Sequence, residues 1–312
     1  MGSRRWKTRT SSLSHSFIYS PREIGQGGAK VSKERIDVKK TYKLFINGAF
    51  PRSESGRSYP IYRKGSKVLL AQPAQASRKD LRDAVRAARE ARSKWHSASA
   101  YNRSQILYRL AEMMEGRRSQ FVEEIMAQTS ASKSVAEKEV SEAIDLWVWY
   151  AGWCDKIGQI SGANNPINGP FYNFTSPEPV GVVGVFAAPD SPLLGLVRAM
   201  APALVGGNTL VVLASEKHPL SAITFGEVIA TSDVPAGVIN ILTGIRSELS
   251  SWLASHMEVD GLDISGVKSG SGEIRALATE NLKRIADFDS STSPNRILAL
   301  MDQKTIWHPI GI

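Results

Sequence analysis

Between residues 160 and 300 the chain alternates short runs that are apolar at nearly every position with longer runs of helical period. VGVVGVF (180–186), NTLVVLA (208–214) and VINILTG (238–244) are the apolar runs, and VDGLDISG (259–266) is a fourth, weaker one. LLGLVRAMAPALVG, a segment starting at Ser221 and another ahead of Val259 lie between them. Strands apolar on both faces and joined by helical crossovers predict a parallel sheet covered on both sides, the doubly wound α/β class (Rossmann-like) that binds dinucleotides at its carboxyl edge.

Upstream the period changes. YKLFING (42–48) alternates into an Asn-Gly turn and PRSESGRSYPIYR (51–63) follows it, which reads as a hairpin. From the candidate cap Ser77, apolar residues at Leu81, Val85, Ala88 and Ala91 predict a helix over 77–95. Two more are predicted over 101–128 and 133–153, with Ile106, Leu110 and Met114 on one apolar face and Val140, Ile144 and Trp147 on the other. Such stripes are packing faces rather than cofactor boxes. The expected layout is an arm at 1–40, a nucleotide-binding domain at 41–300 and a tail at 301–312. Within that domain, 41–158 hold the hairpin and a helical layer, and 159–300 hold the sheet.

Charge alters this picture only at the start. The formal net charge is +9, but residues 1–43 hold 11 Lys and Arg against Glu23, Glu34 and Asp37, so the rest is close to neutral. Without aromatic interleaving, the basic arm gives no nucleic-acid signature. Residues 1–22 lack Asp and Glu and carry Arg4, Arg5, Lys7 and Arg9 among serines, as a mitochondrial transit peptide would. No stretch reaches the roughly 20 apolar residues of a membrane span. The expectation is a cytoplasmic protein, with the mitochondrial matrix as the alternative. Cys154 is the single cysteine, and the five histidines have no ligand spacing, so no disulfide or metal site is expected.

The fragments KLFINGAF, PEPVGVVGVF, APALVGGNTLVV, ASEKHPLSA, VPAGVINILTG, ASHMEVDGLDISG and NLKRI, in that order and spacing, resemble the nucleotide-binding domain of aldehyde dehydrogenases. The resemblance covers about residues 41–300 and implies NAD or NADP as cofactor. In the family a catalytic domain with a Cys nucleophile follows, and the expectation is a relative without it. Cys154 lies ahead of the whole nucleotide series and does not match that nucleophile.

The resemblance also marks where this chain departs from the family. The oxyanion Asn of the family's Pro-Trp-Asn falls on Asp190, where a carboxylate would repel the developing charge. The family's Lys-Pro-Ser-Glu reads Leu213, Ala214, Ser215 and Glu216, which keeps only the ribose-binding acid. Two glycines beside the adenine correspond to Arg246 and Ser250. Arg246 either fills that pocket or offers a cation to a phosphate.

The phosphate turn appears as GVKSGSG, from Gly266 through Gly270 to Gly272, with Lys268 inside it. An ordinary strand-to-helix turn would read the same. The general-base Glu falls on Phe288, flanked by Asp287 and Asp289, which on a strand would point away from the central residue's side. Ser215, Glu216, Gly266 and Gly270 are therefore the candidate cofactor residues, and Asp190 and Phe288 the altered catalytic positions. The chain is expected to be inactive alone and to act as a structural or regulatory subunit, in a homo-oligomer or with an active aldehyde dehydrogenase. An oxidoreductase completed by a partner chain and a nucleotide sensor are the alternatives. The β-prone segment GPFYNFTSPEPVG (169–181) is the expected assembly edge, or else an internal hairpin.

Overall fold

The computed structural model describes residues 38–311. The first part of the expected arm, residues 1–37, lies outside the described residues. A hairpin of β1 (Ile61–Tyr62) and β2 (Leu69–Ala71) precedes helices α1 (Arg78–Ser97), α2 (Ala100–Glu115), α3 (Arg118–Thr129), α4 (Lys133–Ala151) and α5 (Ile157–Ser161). Next come β3 (Ala163–Asn164), β4 (Phe171–Pro179), β5 (Val182–Phe186), α6 (Leu194–Val205), β6 (Thr209–Leu213), α7 (Leu220–Ala230) and β7 (Ile239–Leu242). The chain ends through α8 (Arg246–Ser255), β8 (Gly261–Asp263), α9 (Ser271–Ala278), β9 (Arg284–Ala286), α10 (Asn295–Leu298) and β10 (Met301–Pro309).

The apolar runs are strands because both of their faces are covered. Val183, Val185, Leu210 and Val212 enter one core with α2, α4, α6 and α7, while Val182, Phe186, Val211 and Leu213 enter a second core with α1 and α8. Alternate residues of a strand point to opposite faces, so both faces are almost entirely apolar, and the buried Thr209 and Asn240 donate their side-chain hydrogen bonds to the carbonyls of Ala88 and Leu210. The five strands are parallel in the order β7-β6-β5-β8-β9. The chain moves outward from β5 to β7 and then crosses back to β8, so the switch point of the sheet lies between β5 and β8.

The helical layer is divided by the sheet. Helix α1 packs on β6 and β7, whereas α2, α3 and α4 pack on α6 and α7. A capping box starts α1: Ser77 Oγ accepts from Asp80 N at 3.3 Å, and Asp80 Oδ2 accepts from Ser77 N at 2.8 Å. The same carboxylate accepts from Ser53 Oγ at 2.8 Å, tying the loop before β1 to the helix. The single helix expected over 101–128 is two, because after Gly116 the backbone leaves helical geometry at Arg117.

The 42–48 run turns back at Asn47-Gly48 as expected: Ile46 exchanges backbone hydrogen bonds with Ala49 at 3.0 Å, and the Leu44 N–H donates to the Pro51 carbonyl at 3.1 Å. Phe45 also exchanges backbone hydrogen bonds with Ile241, at 3.0 and 2.7 Å, on the outer edge of β7, and a separate hairpin joins β1 with β2. Two further expectations are corrected. Residues 301–309, expected as part of a tail, form β10, which pairs antiparallel with β4 along nine residues. The 169–181 segment is therefore the middle of a three-stranded sheet, β10-β4-β3, whose edges are the nine-residue β10 and the two-residue β3.

Trp147 is fully buried and stacks on Phe225 with ring centroids 5.6 Å apart, yet its indole N–H has no partner. Trp147→Ala should cost about 3–5 kcal/mol in urea unfolding. Trp147→Phe keeps most of the packing and sheds an unsatisfied donor, and should cost less than about 1.5 kcal/mol.

Candidate functional site

The carboxyl ends of β5, β6 and β8 converge at the switch point, and the residues just beyond them build the crevice. An added Cβ at Gly266 would sit 2.6 Å from the Ala187 carbonyl carbon, so glycine is required by the close approach of two strand ends. Gly270 serves another purpose. Its φ of +77° lies in the left-handed region, it precedes the first turn of α9, and nothing lies within 4 Å of an added Cβ.

Arg246 dominates the crevice. Its Nη1 donates to the Gly266 carbonyl at 3.3 Å, and its Nη2 donates to the carbonyls of Ala187, Ala214 (3.4 Å) and Leu213 (3.5 Å). The guanidinium thus plugs the carbonyl-rich end of the sheet. Burial holds its pKa down, opposed by the charge of Glu216. Glu216 is itself engaged: its Oε2 accepts from the backbone N–H of Arg246 at 2.9 Å, in the first turn of α8. Ser215 Oγ donates to the Pro189 carbonyl at 2.7 Å and accepts from His218 N at 3.1 Å, closing the turn after β6.

A cavity of about 480 Å³ remains between α8 and α9, lined by Lys217, Arg246, Ser250, Lys268, Gly270 and Leu277. That volume lies within the range of small-molecule sites, about 300–1,000 Å³. Its phosphate half fits a dinucleotide, because α9 opens on free amides with open space at Gly270 and Lys217 at the rim. The ribose half fits less well: Glu216 has one oxygen committed to the backbone, and Leu213 stands where the family has a lysine.

The other marked positions are occupied by groups that engage one another. Asp190 forms an ion pair with Lys268, whose hydrogen bond holds the carboxyl below the usual range. Phe288 is half-buried against the core, and its backbone N–H donates to Ser265 Oγ at 3.0 Å. Strand β9 ends at Ala286, so the strand geometry expected for 287–289 is not the reason its acids stand apart. Asp287 pairs with Arg275 at 2.5 Å, and Asp289 accepts from Ser291 N at 2.8 Å, which keeps it ionised and weakly basic. Cys154 is buried, and burial pushes its thiol up to about 12.

The structure adds residues not singled out from sequence. Asp263 and Arg296, each 1% exposed, face one another at 3.6 Å beneath the crevice. Arg296 also donates to the Asp289 carbonyl at 2.9 Å and lies 5.1 Å from the centre of the Phe288 ring. Glu139, from α4, accepts from Ser191 Oγ at 2.9 Å and from the N–H groups of Leu193 and Leu194 at 3.1 Å, capping α6. A signal for one of them was present: a lone Asp in the apolar run GLDI demands a partner once that strand is buried.

Residues 50–306 match the aldehyde dehydrogenase family. Retinal dehydrogenase 2 of Gallus gallus is 35% identical over 274 residues, which are 86% of this chain and 52% of that protein. Aldehyde dehydrogenase, cytosolic 1, of Elephantulus edwardii is 32% identical over 250 residues, 78% of this chain and 49% of that protein. The solved NAD+ complex of an aldehyde dehydrogenase from Bacillus cereus superposes with a TM-score of 0.75 at 28% identity, covering 79% of this chain and 50% of that one. The chain spans about half the length of the curated relatives it matches. By sequence and by fold, then, this chain belongs to the aldehyde dehydrogenase family.

Proposed function

We propose that this chain is a non-catalytic member of the family, a structural or regulatory subunit of an active aldehyde dehydrogenase that works in the cytoplasm. The observation that carries the reading is Arg246, whose guanidinium is hydrogen-bonded into the carboxyl edge of the sheet. A dinucleotide seated there in the family's manner would have to displace a buried cation from several carbonyls, which leaves polar groups unpaired. The chemistry positions agree with it. An anionic Asp190 disfavours an oxyanion, and losing one oxyanion donor costs about 10²–10³ in rate. Phe288 can neither accept nor donate a proton.

The surface for assembly would be β10. It is hydrogen-bonded to β4 along one side only, and Phe171, Tyr172 and Trp307 are exposed beside it. An aromatic edge strand is a ready template for another chain. A second reading, retention of NAD or NADP as a sensor or for an active site completed by another chain, is favoured by the cavity of about 480 Å³ at the start of α9.

Calorimetric titration separates the two. The chain should show no saturable binding at millimolar NAD or NADP, and Arg246→Gly should strengthen binding by about tenfold or more by freeing the crevice. Saturable micromolar binding by the unaltered chain would shift the reading to the sensor or the shared active site, which aldehyde turnover with a purified partner then distinguishes.

Association is measured by light scattering of the chain alone and mixed with a full-length aldehyde dehydrogenase. Trp307→Asp should abolish the larger species with the circular dichroism spectrum unchanged. Equal association by the variant would rule out this edge.

Cys154 should resist thiol reagents at neutral pH in the folded chain and react at the ordinary rate in denaturant. A raised pKa keeps the thiol protonated until the pH approaches about 12. Rapid labelling of the folded chain would contradict that protection.

A further inference from the structure

A second cavity, of about 190 Å³, opens on the other side of Gly266, between α6 and the segment 288–296. It shares only Gly266 with the cleft between α8 and α9. Its cations come from Arg198 on α6 and Arg296 on α10. Arg296 is 1% exposed, and its Nε is buried without a hydrogen-bond partner. The Nε of Arg198 is buried and unpartnered too, and no acid lies within ion-pair distance of it among the described residues.

Two guanidinium groups close together in a partly buried cavity oppose one another. Burial first and the charge of Arg296 second hold the pKa of Arg198 down, and Glu142 only partly offsets them. The local acids are committed elsewhere. Asp263 faces Arg296 and accepts from Ser265 N at 2.9 Å, and the Asp289 carboxylate accepts from Ser291 N. Asp289 also lines the cavity, but among the described residues it is at ion-pair distance from neither arginine, and Arg198 is left without a counter-ion of its own. Guanidinium forks match an oxyanion through paired N–H bonds.

The remaining wall decides between oxyanions. Ala188, Ala199 and the ring of Phe288 present carbon to the cavity. They form an apolar side on which an alkyl group packs, with Ser265 and Ser290 completing the wall. At roughly 30 Å³ for each water displaced, the space takes about six non-hydrogen atoms.

We propose that this cavity binds a short aliphatic carboxylate, its oxygens held by Arg198 and Arg296 and its alkyl end by Ala188, Ala199 and Phe288. The site is assembled from the residues that replace the family's catalytic apparatus: Phe288, at the general-base position, becomes the floor of a ligand pocket. Ser265 bonds to the Phe288 backbone and holds that floor in place.

The test is thermal denaturation and calorimetry of the full chain with butyrate, inorganic phosphate and chloride at matched ionic strength. Butyrate should raise the melting temperature saturably and give a heat of binding, with phosphate and chloride at least about tenfold weaker. Arg198→Ala, at a half-buried position, should weaken butyrate binding about tenfold or more, and Arg198→Lys should weaken it less. Circular dichroism checks that both variants fold. Arg296→Lys is the second probe, because it retains the charge opposite Asp263 while losing the fork. Phosphate binding as tightly as butyrate would overturn the carboxylate assignment. Unchanged butyrate affinity in Arg198→Ala, or no saturable butyrate effect in the unaltered chain, would overturn the site.

Discussion

A parallel sheet buried on both faces has one polar opening, the carboxyl ends of its strands at the point where the chain reverses direction. Here β5, β6 and β8 deliver the carbonyls of Ala187, Leu213, Ala214 and Gly266 to that opening, and whatever occupies it determines what the domain can do. In this chain a side chain occupies it. Arg246 donates to all four carbonyls while its own backbone N–H is taken by Glu216. One substitution at a position where the family has glycine thus fills space and satisfies the strand ends, while the backbone N–H at that position takes the remaining ribose acid. The family likeness therefore establishes the scaffold, and the contents of the crevice carry the functional argument.

The sheet could be read from sequence because two-sided burial leaves a direct signature. VGVVGVF, NTLVVLA and VINILTG are apolar at nearly every position, and each contains a strand whose alternate residues enter opposite cores. The start of α1 was legible for a similarly local reason, since Ser77 and Asp80 cap within four residues. What could not be read depends on distant pairing. The 42–48 run and its Asn-Gly turn followed from the local pattern, but its second partner, Ile241, lies some two hundred positions away, and nothing local announces that pairing. Strand β10 was hidden because MDQKTIWHP is polar at most positions; it faces solvent and is defined by its ladder with β4 rather than by a core.

The crevice was legible in part, and the boundary has a physical reason. Motif positions such as Glu216, Gly266 and Gly270 are local, so their places at the strand ends followed from the pattern. Their present duties did not. Gly266 is needed because Ala187 lies against it, whether or not a phosphate is bound. Ser215 closes a turn through Pro189. Asp263, Arg198 and Arg296 carry much of the electrostatics and belong to three different elements, so no spacing along the chain could bring them together. Only the buried position of Asp263 within a strand was a clue that a cation had to come from elsewhere.

Asp263 and Arg296 also connect the emptied catalytic positions to the stability of the domain. A buried pair at 3.6 Å gives little net stability, because removing both charges from water offsets most of their attraction. Removing one partner is far more costly, since the other is left charged and alone. The pair therefore constrains its surroundings more than it strengthens them: Arg296 must stay where Asp263 can reach it, which holds it over Phe288 and against the Asp289 carbonyl. The segment that would present a general base in the family is thereby fixed to the sheet around an aromatic ring. A carboxylate restored at 288 would enter a site already organised by Arg296, Arg198 and Asp263, where it would pair with an arginine and have its basicity lowered. Returning Phe288 to Glu alone would not recreate a base suited to activating water, because the neighbouring cations now set its pKa.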